Sequence, residues 1–163
     1  MANYSSFTGT ISRIDNFGAV NSPQIGCTQI MEVVDNTGNV VDFIVSPTTY
    51  VLDQFMLQPG DQIIGFYDSN LPVPLIYPPQ FQAAVIALVN SFQSITVSYF
   101  NSRLLNSDGT LRLNLSSNTM ITLTNGQTFI GFPGNRNLVV LYRSTTRSIP
   151  AQTTPDRIIV LCQ

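Results

Sequence analysis

An all-β fold, written twice along one chain, is what this sequence predicts, and three observations predict it. Apolar and polar residues alternate in "FTGTISRID" and "TLRLNLS", the period-two spacing of half-buried strands. The segments "DNTGN" and "NSDGT" separate apolar runs as hairpin turns do. The chain also aligns with itself. "DNTGNVVDFIVSPTTYVL" (35–52) lies over "NSDGTLRLNLSSNTMITL" (106–123) at a constant offset of 71, with Gly38 on Gly109, Ser46 on Ser117, Thr48 on Thr119 and Leu52 on Leu123.

The elements follow in order. The first strand is expected over "FTGTISRID", and an extra loop, "NFGAVNSPQIG", follows it in the first copy alone. A hairpin comes next, then a turn and strand, "QPGDQII". The stretch "QFMLQPGDQIIGFYD" matches "QTFIGFPGNRNLVVLYR" with a small insertion, pairing Pro59 with Pro133, Gly60 with Gly134 and Tyr67 with Tyr142. "PLIYPP" then echoes "PAQTTP", setting Pro74 against Pro150 and Pro79 against Pro155.

The proline-rich stretch "DSNLPVPLIYPPQF" (68–81) reads as a connector between strands, because proline fixes φ and removes an N–H. Display of Tyr77 and Phe81 for docking is the other reading. Each copy closes on an apolar run, "AAVIALV" and "RIIVLC". The first alone would suit a helix, but its short, β-rich partner makes strands of both. Five strands in about 75 residues suggest a small OB-like barrel. The expected architecture is thus a tandem repeat of two small OB-like five-stranded barrels, residues 1–92 and 93–163, divided in "VNSFQS".

Composition narrows the chemistry. Hydrophobic residues make up 44% and charged residues 10%, against a usual quarter for charge. That balance excludes disorder, which needs low hydrophobicity and high charge. Polarity comes from Ser, Thr, Asn and Gln, so the surface is weakly protected against association. There is no His, hence no Ser-His-Asp or Cys-His machinery. There is no Lys, hence no Schiff base or Ser-Lys pair. "TNGQTFIGFPG" lacks the Lys and spacing of a phosphate loop.

The acids sit mostly at predicted turns, where Asp bonds its own backbone. A hydrolase acting with carboxylates alone is the one enzyme reading left, ranked third. No catalytic, cofactor-binding or metal residue is assigned. Asp35, Asn36, Asn39 and Asp42 offer oxygen ligands for calcium, but without the spacing or closing Glu of an EF-hand loop. A hairpin turn is the simpler reading.

Charge is divided unevenly. Residues 1–92 hold one Arg and seven acids, net −6, and residues 93–163 hold six Arg and two acids, net +4. Opposite halves suit head-to-tail association, a heterologous contact that propagates unless it closes. The candidate assembly contacts are Arg143, Arg147 and Arg136 on the basic half, Asp61 and Asp68 on the acidic half, and Cys27 and Cys162, whose thiols are read as inert and buried or as joined in a disulfide, within the chain or with a neighbour. The arm "MANYSSF" is a candidate strand donor to a neighbouring edge, and "RIIVLC" a candidate sticky edge. Six Arg beside an acidic half make a poor electrostatic funnel, so nucleic acid is not an expected partner, although Tyr99, Phe100 and Phe129 are the candidate stacking rings.

The runs "GFYDSNLPVPLIYPPQF", "SDGTLRLNLSS" and "RSIPAQTTP" resemble a group of small, uncharacterised proteins of spore-forming Gram-positive anaerobic bacteria. The resemblance spans nearly the whole chain. It implies a bacterial origin and a link to sporulation, and it carries no activity and no site residues.

The N-terminus has neither the basic nor the apolar region of a signal peptide, and "AAVIALV" is too short to span a bilayer. Synthesis in the cytoplasm and assembly at a spore or cell surface are expected. The leading expectation is a non-enzymatic structural subunit that binds itself in a filament or lattice, without cofactor, membrane or small-molecule substrate. The alternative is an OB-type binding module for single-stranded nucleic acid or oligosaccharide.

Overall fold

The computed structural model describes residues 2–162. It is all-β, with several sheets, one three-residue 3-10 turn and no α-helix among the described residues. The chain divides into two compact units, Tyr4–Val89 and the segment from Asn90 onward.

The first unit is organised by one long strand. β1 (Tyr4–Asn16) alternates inward and outward and serves two partners in succession. Its first half pairs antiparallel with β5 (Gln62–Asp68), from Tyr4↔Asp68 to Thr10↔Gln62. Its second half pairs with β2 (Gln29–Val34), from Thr10↔Val34 to Asn16↔Gln29, with a bulge between Ile11 and Arg13. Bulges bend a strand and raise its twist. Gly9 permits the bend: a Cβ there would lie 2.6 Å from the Val34 carbonyl oxygen.

β2 and β3 (Val40–Val45) form the hairpin expected around Gly38, whose φ of +89° suits glycine. β3 then pairs in parallel with β6 (Gln80–Leu88), and β6 pairs antiparallel with β5. The succession β3-β2-β1-β5-β6 therefore returns to β3. A short β4 (Tyr50–Val51) lies parallel to the middle of β6. Ile11, Met31, Val33, Phe43, Ile63 and Ile86 anchor the core. Burying each such side chain contributes about 1.5–3 kcal/mol. Phe43 occupies the space left by Gly65, where a Cβ would come within 2.5 Å of its ring.

In the second unit β7 (Ser94–Phe100), β10 (Arg136–Tyr142), β12 (Arg157–Leu161) and β9 (Met120–Leu123) form one sheet in that order. β8 (Leu111–Leu113) pairs in parallel with β11 (Ala151–Thr153). Phe100, Leu104, Leu111, Leu138, Ile158 and Val160 anchor this core.

Two ladders recur residue by residue in the two units. Tyr4↔Asp68 to Thr10↔Gln62 in the first has its counterpart in Ser94↔Tyr142 to Phe100↔Arg136 in the second. Ile63↔Leu88 to Phe66↔Val85 has its counterpart in Asn137↔Leu161 to Val140↔Ile158. A small tie recurs as well. The Thr49 hydroxyl donates to the Ala83 carbonyl at 2.8 Å, and Thr119 donates to the Pro155 carbonyl at 2.8 Å. Each threonine also closes a turn with a serine, Ser46 or Ser116.

Several expectations need correction. The serine and threonine equivalents are Ser46/Ser116 and Thr49/Thr119, one residue off the sequence alignment. Tyr142 takes the ladder position of Asp68, not of Tyr67. Gly38 and Gly109 do both sit at positive φ in turns. The extra segment of the first unit is longer than the loop expected. Between positions equivalent by ladder and turn, residues 11–34 of the first unit stand where the second has only residues 101–105, closed by Asn101 N donating to Leu105 O.

The arm expected to donate a strand instead pairs within its own sheet from Tyr4 onward. "RIIVLC" is not an edge, because β10 and β9 flank β12. Both thiols, read as buried in one alternative, are exposed and free.

Candidate functional site

Turn chemistry engages four of the nine acids, Asp35, Asp61, Asp68 and Asp108. The Asp35 carboxylate accepts from Thr37 N and Oγ1 and from Asn39 N, at 2.9 Å each, and from Asn39 Nδ2 at 3.2 Å. Desolvation raises its pKa, but these four bonds together outweigh it and hold the group below the ordinary carboxylate value. This saturated turn is the hairpin reading of "DNTGNVVD", and among the described residues no cluster of three acids, Cys or His suits a metal.

Asp42 is different. It is buried, and its Oδ1 has no hydrogen-bond partner. It lies in a cross-strand row: Arg13 faces Glu32, Glu32 faces Asp42, and Asp42 faces Gln80. Arg13 is occupied by Asp15 at 2.8 Å and Glu32 at 3.6 Å, and Ser12 Oγ donates to Glu32 at 2.8 Å. Burial raises the Asp42 pKa, the Glu32 charge raises it further, and Arg13 opposes both.

The candidate assembly contacts are dispersed. Arg143 makes a two-point pair with Asp156 in its own unit, 3.0 and 2.9 Å. Arg136 lies over the Phe129 ring, 4.9 Å from its centroid. Arg147 is exposed in the loop after β10. Asp61 accepts from Gln58 N at 2.8 Å, and Asp68 from Asn70 N at 3.0 Å, so both hold turns. Asp68 also lies opposite Tyr4, whose phenol pKa is raised by burial and then by that carboxylate. Of the candidate stacking rings, Phe100 is fully buried, Tyr99 is half-buried, and Phe129 packs on the core.

Apolar side chains in loops were the signal that sequence reasoning undervalued. The connector between β5 and β6 exposes Leu71, Val73, Leu75, Ile76 and Tyr77, with Leu75 fully exposed and Tyr77 80% exposed. Phe81 does not join them: it stacks on Tyr67 with centroids 3.9 Å apart. The equivalent connector of the second unit exposes Ile149. Before β5, Phe55 and Met56 are exposed, and before β10, Ile130 and Phe132. Both units therefore display apolar residues from the same two loops. The sequence held the clue in apolar residues repeated inside turn segments, where polar ones are usual.

A cleft of about 270 Å³ lies in the first unit. Phe17, Ser22, Gln24, Ile25 and Thr28 of the loop after β1 wall it, and Ile44, Ser46 and Gln82 form its other side. Its lining contains no carboxylate and no Arg.

No protein-family model matches this chain, and no curated protein matches it in sequence.

Proposed function

We propose that the chain is a non-enzymatic structural subunit that associates with copies of itself, built on two OB-like units of which the second is abbreviated. The cyclic pairing order of the first unit, with its parallel β3–β6 contact, supports the OB-like reading. The ladders common to both units support extending it to the second.

One observation carries the functional reading: both units expose large apolar side chains from equivalent loops, including Leu75, Ile76 and Tyr77 in one and Ile130 and Ile149 in the other. Clustered apolar exposure of this kind marks interaction surfaces. The opposite net charges, −6 and +4, supply a polarity for a head-to-tail contact. Sequestration of Arg143 by Asp156 and saturation of the Asp turns leave charge the smaller contributor. A spore or cell surface is the proposed setting, on the resemblance of the sequence to proteins of spore-forming bacteria.

Electron micrographs of the purified chain, taken beside a sizing profile over a concentration series, test the reading. Polar rows or lattices that form more slowly at high salt, yet persist once formed, are expected. A monomer at every concentration, salt and pH contradicts it.

A further inference from the structure

The lining of the cleft beside β1 shares no residue with the exposed apolar loops 55–56 and 71–77, and most of it belongs to the segment that the second unit lacks. Additions of this kind to a repeated frame are where binding chemistry resides, because the frame folds without them. The loop is also preorganised. Phe17 N donates to Thr28 O at 3.0 Å and closes its base, and three successive turns follow, with Ser22 N on Ala19 O, Ile25 N on Ser22 O and Cys27 N on Gln24 O at 3.0–3.1 Å. The Ser22 hydroxyl fixes Gln24 N at 3.1 Å.

What the cleft offers is specific in kind. Its polar groups are hydroxyls and primary amides. Among the described residues the Gln24 amide makes no hydrogen bond, and the Gln82 amide makes one long contact, 3.4 Å to Ser46 Oγ. Its apolar surface comes from Phe17, Ile25 and Ile44. An anionic ligand would enter without a counter-charge. A wholly apolar ligand would leave the amides covered and unpaired. A ring with one C–H face and a rim of hydroxyls satisfies both halves. The volume lies just under the roughly 300–1,000 Å³ of sites for drug-sized molecules, which suits a unit of sugar size.

We propose that this cleft binds a neutral sugar ring of a glycan, with the Phe17 ring and the two isoleucines against the C–H face and the Gln24 and Gln82 amides on the hydroxyls. Binding of this type, with few contacts and an open site, belongs in the millimolar range.

Amide chemical shifts of the full chain, followed by NMR during titration with maltose, cellobiose and diacetylchitobiose, test it, with a thymidine oligonucleotide as the anionic probe. The expected result is saturable shifts confined to residues 17–28, 44–46 and 82 with at least one disaccharide, and none there with the oligonucleotide. Phe17→Ala and Gln82→Ala both alter exposed side chains, and each should weaken binding about tenfold while leaving the remaining spectrum unchanged. No saturable shift with any of the three sugars overturns the proposal. So do shifts elsewhere, sugar binding indifferent to both substitutions, or a cleft that responds to the oligonucleotide instead.

Discussion

The two units carry two matching ladders and different additions. β1 with β5 and β7 with β10 match over seven consecutive pairs. Beyond Thr10 the first unit runs on through the second half of β1, a folded loop and β2, whereas beyond Phe100 the second turns back at once. The first unit thereby gains a bulged, doubly paired strand and a cleft. The second gathers six of the seven Arg and leaves its ladders almost unadorned. A shared frame explains stability in both. The differences between them are where separate functions have room.

Core positions sharpen this comparison most. Phe43→Ala should cost about 3–5 kcal/mol and Leu138→Ala about 2–5 kcal/mol, read from urea denaturation. Both side chains are fully buried. Gly65 and Val139 share a ladder position, opposite Ile86 and Ile159. The first is kept small by the Phe43 ring, so Gly65→Ala should cost about 1–3 kcal/mol. A neutral Gly65→Ala would break the account of why the equivalent residues differ.

The buried carboxylate comes next. The folded chain holds the Asp42 pKa above its ordinary value, so it binds that proton more tightly than the unfolded chain does. The stability that protonation contributes is full at acid pH and is lost as pH rises through the raised value. Asp42→Asn should therefore stabilise at neutral pH by about 1 kcal/mol, and the gain should vanish below the usual carboxylate range. Denaturation midpoints of both proteins across pH 3–8 check this. No pH dependence in the difference would show that Asp42 is solvated.

The threonine ties test the shared frame directly. Thr49→Val and Thr119→Val should each cost about 1 kcal/mol, near-equally. Unequal losses would mean that the matched geometry hides unequal surroundings. The smallest effect belongs to Arg143→Met, because its pair with Asp156 is largely exposed: about 0–1 kcal/mol, falling with salt.

Much of this was legible in the residues. Alternation in "FTGTISRID" and the turn glycines Gly38 and Gly109 located strands, two turns and the β2–β3 hairpin, because period and positive φ are local properties; the turn at Gly109 is closed by an isolated Leu105↔Arg112 bridge instead of a strand pair. Pairing partners are not local. "RIIVLC" has the composition of a sticky edge whether or not β9 covers it, and "MANYSSF" gives no sign that Tyr4 already faces Asp68. The one-residue slips at Ser116 and Tyr142 arose because residue identity was matched where the hydroxyl tie and the ladder set the equivalence. At the candidate surfaces, the proline run was legible as a connector, since its ring geometry is intrinsic. The exposure of Leu75 and Ile76 was not, since burial depends on what packs against a side chain.

Sedimentation velocity of the wild type beside a Leu75→Ser/Ile76→Ser/Tyr77→Ser variant tests association through the apolar loops most directly. These side chains are exposed, so the variant should fold as the wild type does and its stability should change by no more than about 0.5 kcal/mol. The wild type should sediment faster as concentration rises, with only modest weakening at high salt, while the variant stays at the monomer rate. Equal sedimentation of the two proteins, whether both as monomers or both as oligomers, would contradict the account.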